Sequence, residues 1–123
     1  MDRRILIIDS EKKDIDILKY YIKENSSNVS IYYATSGRNG LAAAVKYKPH
    51  LIFIDFNLPD IEGFKLCQKI KTDDRINEAR VIFLTHMAED INRAYNNGAE
   101  DYIIKHPSPF FLMEKINTHL YAS

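Results

Sequence analysis

The sequence predicts an α/β protein with a doubly wound, five-stranded parallel sheet and five helices. Five short apolar runs are the predicted strands, at residues 5–8, 29–34, 51–54, 81–84 and 102–104. Their first residues lie 21 to 30 positions apart, which leaves room for one helix and two loops in each interval. This is the spacing of repeated βα units.

The intervals carry apolar residues at helical spacing, which predicts one helix after each strand. Ser36 is placed to cap the second helix, Asn97-Gly98 to end the fourth, and Pro109 to begin the fifth. The predicted buried stripes are Ile15, Leu18 and Ile22; Leu41, Ala44 and Val45; Leu66, Cys67 and Ile70; Ile91, Ala94 and Tyr95; and Leu112, Ile116 and Leu120.

The character of the strands predicts their order. The first, third and fourth runs are unbroken and apolar, as expected of strands that are buried on both faces. The second run contains Ser30 and the fifth is short, which favours edge positions. These features match the flavodoxin-like order 2-1-3-4-5, in which ligands bind at the carboxyl ends of the strands, near strands one and three.

Composition limits the classes of function. The 123 residues fit one domain, and 17 basic residues balance 17 acidic ones. Zero net charge argues against a nucleic-acid or membrane surface, and we interpret basic pairs such as Arg3-Arg4 and Lys12-Lys13 as solvated faces. With Cys67 as the one cysteine, no intrachain disulfide forms. The short apolar run at residues 5–8 does not resemble a signal peptide, so we expect a cytoplasmic protein.

Four chemically matched residues follow four of the predicted strands. Asp9 follows the first, Asp55 the third, Thr85 the fourth and Lys105 the fifth. Two carboxylates suit a hard cation such as Mg²⁺. A carboxylate also acts as a nucleophile towards phosphorus, while a lysine and a metal neutralise the phosphoryl oxygens. One such residue is usually a turn or cap residue, but four in this order indicate a phosphoryl-transfer site.

The longest motif runs through residues 51–64, LIFIDFNLPDIEGF, and is supported by VIFLT at 81–85 and GAEDYIIK at 98–105. On these residues the chain, over essentially residues 1–123, resembles a receiver domain of the bacterial two-component response regulators. The resemblance implies that Asp55 accepts a phosphoryl group from a sensor histidine kinase, a phosphotransfer protein or a small donor. It also implies that Mg²⁺ is held by Asp9, Asp55 and the backbone carbonyl of Asn57.

The resemblance further implies that Lys105 pairs with the phosphoryl group, and that Thr85 and Tyr102 switch on activation. Such a domain phosphorylates and dephosphorylates itself but is otherwise not an enzyme. It is expected to bind neither nucleic acid nor a membrane directly. The family commonly forms homodimers through the face of helix four, strand five and helix five. The cognate kinase and the output of the chain are not encoded in these residues.

Three residues depart from the family pattern. Ser10 replaces the second acid after strand one, which predicts a weaker metal site. We interpret Ser10 as the cap of helix one. In the alternative, Glu11 is a substitute metal ligand. His86 follows Thr85 where a small residue is usual, and either shields the site or is simply exposed. His106 replaces the proline after Lys105. The Lys105-His106 bond is then either trans, with the lysine shifted, or strained. A cis bond at His106-Pro107 is the third possibility.

Three functions follow. An active phosphoacceptor receiver is favoured. A degenerate receiver, acting as an interaction module without phosphorylation, is motivated by Ser10, His86 and His106. An enzyme on a similar sheet is disfavoured, because an Asp-dependent phosphatase needs its D-x-D after strand one, and Asp9-Ser10-Glu11 would repel a flavin phosphate.

Overall fold

The computed structural model describes residues 2–86 and 91–121. Ten elements alternate along the chain. They are β1 (Arg3–Ile8), α1 (Lys12–Asn25), β2 (Val29–Ala34), α2 (Gly37–Tyr47), β3 (Leu51–Asp55), α3 (Gly63–Lys71), β4 (Arg80–Thr85), α4 (Ile91–Asn96), β5 (Asp101–Ile104) and α5 (Pro109–Leu120).

The predicted strand order is confirmed. The five strands are parallel and lie in the order β2-β1-β3-β4-β5, with β2 and β5 at the edges. Side chains of the inner strands alternate between two buried clusters. In β1, for example, Leu6 and Ile8 pack with α2, α3 and α4, whereas Ile5 and Ile7 pack with α1 and α5. Burial on both faces explains why these runs are apolar without interruption.

The predicted helix signals are also confirmed. The hydroxyl of Ser36 accepts a hydrogen bond from the backbone N–H of Asn39, and Pro109 is the first residue of α5. Gly98 follows α4 with a φ of 95°, a left-handed conformation that costs glycine little. Within the described ranges, no helix combines the length and apolar character needed to cross a membrane.

Two expectations about buried residues have different outcomes. Cys67 lies in the core, as predicted, and burial raises the pKa of its thiol to about 12. Tyr95 was predicted to be buried with Ala94, but its side chain is exposed and stacks edge-on against Tyr102. That prediction is wrong because, among the described residues of α4, Ala94 alone is fully buried and the adjacent Tyr95 points away from the core.

Candidate functional site

The carboxyl end of the sheet brings the predicted polar residues together. Asp55 and Thr85 are the last residues of β3 and β4, and Asp9 and Lys105 directly follow β1 and β5. Asp9, Asp55 and Thr85 are buried, at 0%, 4% and 3% exposure. Carboxylates are rarely buried so completely without a cation, so this end of the sheet is a site built around charge.

Lys105 is the cation that holds the site together. Its Nζ lies 2.9 Å from Asp9 Oδ2, 3.0 Å from Asp14 Oδ2 and 3.3 Å from Asp55 Oδ2. Only 4% of the lysine side chain is exposed. A lysine has three donor hydrogens, so one ammonium group serves three carboxylates.

Asp14 is a site residue that the sequence reasoning missed. It lies in the first turn of α1, next to the buried Ile15 and four residues before the buried Leu18. Residues four apart share one helix face, so the helical phase was a signal that could have placed Asp14 towards the core. Its contact with Lys105 spans 91 residues of sequence, a separation that no local pattern reveals.

Burial and neighbouring charges shift the pKa values of both Asp55 and Lys105. Burial, with the neighbouring carboxylate of Asp9, raises the pKa of Asp55 to about 6, although Lys105 partly opposes the shift. Burial alone would lower the pKa of Lys105, but the neighbouring carboxylates of Asp9, Asp14 and Asp55 raise it above its usual value. At neutral pH the lysine is therefore charged and Asp55 is mainly ionised.

Ser10 does not cap helix one, and that prediction is wrong. The N-cap residue of α1 is Glu11, which makes no side-chain capping bond. The Ser10 hydroxyl instead donates to the backbone carbonyl of Asn57, at 3.3 Å. Asp9 Oδ1 accepts from the backbone N–H of Glu11, the residue that precedes the first turn of α1, at 3.0 Å.

The donor set fits a hard cation with few protein ligands. Two carboxylates, Asp9 and Asp55, lie within 3.3 Å of the same Lys105 Nζ, and the backbone N–H of Asn57 donates to Asp55 Oδ1 at 3.2 Å. Asp9 Oδ2 is buried and accepts no hydrogen bond of good geometry, although Lys105 lies close to it. Across residues 2–86 and 91–121, no cluster of three or more acidic, histidine or cysteine side chains is arranged for a metal. Mg²⁺, which keeps several waters, suits so small a set.

Gly63 explains part of the motif that follows Asp55. A Cβ at this position would lie 2.5 Å from the carbonyl oxygen of Asp55 and 2.9 Å from Cα of Phe56. The backbone N–H of Gly63 donates to the carbonyl of Phe56, at 3.1 Å. Close packing of α3 on the end of β3 therefore requires a residue without a side chain here.

His106 resolves the question of the loop after Lys105. No peptide bond in the described ranges is cis, so Lys105-His106 and His106-Pro107 are both trans. The lysine is not shifted out of the site. Instead His106 has a φ of 63°, a left-handed conformation that is costly for a residue with a Cβ. Its Nε2 lies 3.8 Å from Asp14 Oδ1. The Lys105-His106 bond is therefore trans, as in the first alternative, but without the shift of the lysine that this alternative included.

The remaining predicted residues are less buried than the acid cluster. His86 is exposed, with its ring centroid 6.1 Å from that of His106. Glu11 is exposed as well. Tyr102 is half-buried against the core cluster that contains α4. The residues 87–90 between His86 and α4, where the predicted fourth helix would start, lie outside the described residues.

These features define a receiver domain, and comparison with known proteins places the chain in that class. The family described as the response regulator receiver domain matches residues 5–117. The chain therefore belongs to the receiver domains of two-component response regulators.

Individual relatives agree with this assignment. The chain is 33% identical over 115 residues to the DNA-binding dual master transcriptional regulator RpaA of Synechocystis sp., covering 92% of this chain and 46% of that protein. It is 29% identical over 122 residues to the regulatory protein VanRc of Enterococcus gallinarum, covering 98% and 51%. The chain thus spans about half the length of these curated relatives.

Solved structures show the same fold. A CheY-like response regulator receiver domain protein of Methanospirillum hungatei has 30% identity and a TM-score of 0.84, with 98% of this chain and 94% of that chain covered. A two-component response regulator of Clostridium difficile has 29% identity and a TM-score of 0.86, with 97% and 96% covered.

Proposed function

We propose that this receiver domain is an active phosphoacceptor, in which Asp55 takes a phosphoryl group from a sensor histidine kinase or phosphotransfer protein in a Mg²⁺-dependent reaction. The observation that carries the proposal is the ion pair of 3.3 Å between Lys105 Nζ and Asp55 Oδ2, at the buried end of the sheet. It places a fixed positive charge beside a carboxylate oxygen, where transferred phosphoryl oxygens would gather. A cytoplasmic location follows as part of the proposal.

The chain's own residues supply most of what phosphoryl transfer needs. Asp55 is the nucleophile: one of its oxygens would form the bond to phosphorus as the bond between phosphorus and the donor breaks, and that bonding pair would stay on the donor, on an imidazole nitrogen of phosphohistidine or on a carboxylate oxygen of acetyl phosphate. Lys105 would neutralise charge on the phosphoryl group, and Thr85, the last residue of β4, lies at the same end of the sheet. Asp9, Asp55 and the Asn57 carbonyl would hold Mg²⁺, with Glu11 as a further ligand. When bound, Mg²⁺ supplies charge neutralisation for the phosphoryl oxygens.

The output of phosphorylation is proposed to be a change in the face formed by α4, β5 and α5. A phosphoryl group adds roughly −1.5 to −2 charges, and Lys105 and Thr85 connect the site to β4 and β5. Tyr102 lies half-buried on β5, near the exposed side chains of Ile104 and Phe111. An apolar face next to a switching tyrosine suits a homodimer or a partner protein.

A degenerate receiver is the second candidate, and two observations favour it. Lys105 is already satisfied by three carboxylates, and Ser10 occupies the Asn57 carbonyl with a hydrogen bond. If these contacts are too stable to rearrange, the fold would work as an interaction module without phosphorylation.

The two candidates differ in one measurement. The protein is incubated with acetyl phosphate and Mg²⁺, and intact mass is recorded. An active receiver gains the mass of one phosphoryl group, and the gain is expected to disappear with EDTA and in Asp55→Asn. Asp60→Asn is the matched control, since Asp60 is exposed in the following loop and accepts hydrogen bonds from Gly37 and Arg38. A wild type that never gains mass, even at high Mg²⁺, would establish the degenerate receiver.

Replacing Ser10 with aspartate is expected to tighten Mg²⁺ binding by about tenfold, because a third carboxylate would face the cation beside Asp9. Calorimetric titration with Mg²⁺ measures the change. Ser10→Ala is the control, because it removes the hydrogen bond to Asn57 without adding charge. Equal affinities in Ser10→Asp and Ser10→Ala would show that position 10 does not face the metal.

A further inference from the structure

A second concave site lies at the end of the sheet opposite Asp55. It is a cleft of about 530 Å³, and five cationic side chains contribute to its lining. We call it the basic cleft and define it by Arg3, Arg4, Lys48, Arg75 and Arg80. Arg3 and Arg80 begin β1 and β4, whereas the phosphoacceptor site follows the other ends of these parallel strands.

The fold gathers charges that are scattered in the sequence. Arg3-Arg4 was interpreted as a solvated pair, but Arg4 is half-buried and its guanidinium is held by backbone carbonyls. Its Nε donates to the carbonyl of Tyr47 at 2.9 Å, and its Nη2 to the carbonyl of Lys48 at 2.9 Å. These bonds fix the chain after α2, where Lys48 has a left-handed φ of 49°. The wall of the cleft is therefore a built feature of the fold.

The cations of the basic cleft are poorly neutralised. Glu78 is the one carboxylate among the lining residues. Arg75 is paired with Asp73, at 2.7 Å. In the part of the chain that the structure describes, Arg3, Lys48 and Arg80 form no ion pair with a carboxylate. The excess charge is local, because the whole chain carries a formal net charge of zero.

The charge and lining of the cleft indicate a class of ligand. Burial, followed by the charges of Arg4 and Arg3, lowers the pKa of His50 in the same cleft, as expected beside concentrated positive charge. Buried apolar side chains of Ile76, Ala79 and Leu120 also line it. The volume lies within the range of roughly 300–1,000 Å³ for small-molecule sites. A compact anion matches these properties better than an extended chain does.

We propose that the basic cleft binds a small polyanion with at least two linked phosphate groups, either a nucleoside polyphosphate or an inorganic polyphosphate. A guanidinium group can donate two parallel hydrogen bonds to two oxygens of one phosphate group. Several guanidinium groups around one cleft therefore favour a ligand with several phosphate groups over a ligand with a single phosphate. The apolar lining suits the base or sugar of a nucleotide. The proposal is independent of phosphorylation at Asp55, and its failure would leave that function untouched.

Titration with three probes tests the proposal. Tripolyphosphate, ATP and AMP are added without Mg²⁺ to the isotopically labelled chain, and backbone amide shifts are followed by NMR at low and at physiological ionic strength. Tripolyphosphate and ATP are expected to shift the amides of residues 3, 4, 48, 50 and 75–80, with AMP at least about tenfold weaker. Equal affinity for tripolyphosphate and ATP identifies the phosphate chain as the ligand, and tighter ATP binding identifies the nucleotide. Absence of binding, or shifts centred on Asp55 and Lys105, would overturn the proposal.

Charge-removing variants test whether tripolyphosphate binds in the basic cleft or is attracted by positive charge anywhere on the surface. Arg3→Gln and Arg80→Gln are each expected to weaken tripolyphosphate binding by about tenfold, the loss of one charge-assisted hydrogen bond. Lys13→Gln, on the exposed side of α1, removes the same charge elsewhere and should change affinity by less than about twofold. Equal losses in all three variants would overturn the proposal. Circular dichroism confirms that each variant is folded.

Discussion

The Asp55→Asn variant is expected to be more stable than the wild type at pH 7, by up to about 3 kcal/mol. Burial and the charge of Asp9 raise the pKa of Asp55 from 3.8 to about 6. The ionised carboxylate therefore costs free energy in the folded state, and an amide of the same shape removes that cost. The measurement is the free energy of unfolding in urea for both proteins.

The raised pKa of Asp55 also predicts how the stability difference between the two proteins depends on pH. Because the pKa of Asp55 is raised on folding, the native state binds more protons than the unfolded state between about pH 4 and pH 6, and this group lowers stability as pH rises through that interval. The advantage of Asp55→Asn should be absent below about pH 4 and complete above about pH 7.

Asp73 supplies a control of opposite sign. Hydrogen bonds from Arg75 lower the pKa of Asp73 to about 2, so its ionised form is favoured by folding and Asp73→Asn should not stabilise the protein. Equal stability of Asp55→Asn and wild type across the pH range would contradict the buried acid cluster.

Replacing Lys105 with methionine is expected to destabilise the protein at pH 7 by about 3–5 kcal/mol, the usual result of removing one partner from a buried ionic group. Methionine keeps an unbranched chain of similar length, so the loss reports on charge more than on packing. Three carboxylates, Asp9, Asp14 and Asp55, would lose their shared cation. The variant should also lose phosphorylation, because no fixed charge would remain beside Asp55.

A double-mutant comparison isolates the charge effect. Lys105→Met combined with Asp55→Asn should recover part of the lost stability, because one unpaired carboxylate is removed with the lysine. Asp14→Asn in the wild-type background removes a single partner from Lys105 and leaves Asp9 and Asp55 in place, so its effect should be much smaller. A loss below about 1 kcal/mol in Lys105→Met would show that the carboxylates become protonated or hydrated at little cost.

The contact between Asp14 and Lys105 also provides a test between the two proposed functions. If the Asp14→Asn variant is phosphorylated faster than the wild type, this contact restrains the lysine, and the receiver is active but slowed. If neither protein gains a phosphoryl group, the crowded lysine marks a degenerate receiver. The rate of mass gain with acetyl phosphate distinguishes these outcomes.

The strand order was predictable because it depends on hydrophobic patterning along the chain. Residues 5–8 and 51–54 are apolar at every position because β1 and β3 are buried on both faces, and that requirement is visible in the sequence. Alternation of strands and helices then determines a parallel sheet. The positions of Asp9, Asp55, Thr85 and Lys105 followed from the same logic, since they directly follow, or end, parallel strands.

What the sequence by itself determined, then, is the fold, the end of the sheet that carries the site, and four residues of that site. Only the tertiary structure decided which other groups meet there. Asp14 contacts Lys105 across 91 positions, Ser10 donates to Asn57 rather than capping α1, and Arg3, Lys48 and Arg80 share one cleft. The physical reason is that strand and helix periodicity is local, whereas these contacts depend on the side-chain geometry of residues that meet only after the chain has folded.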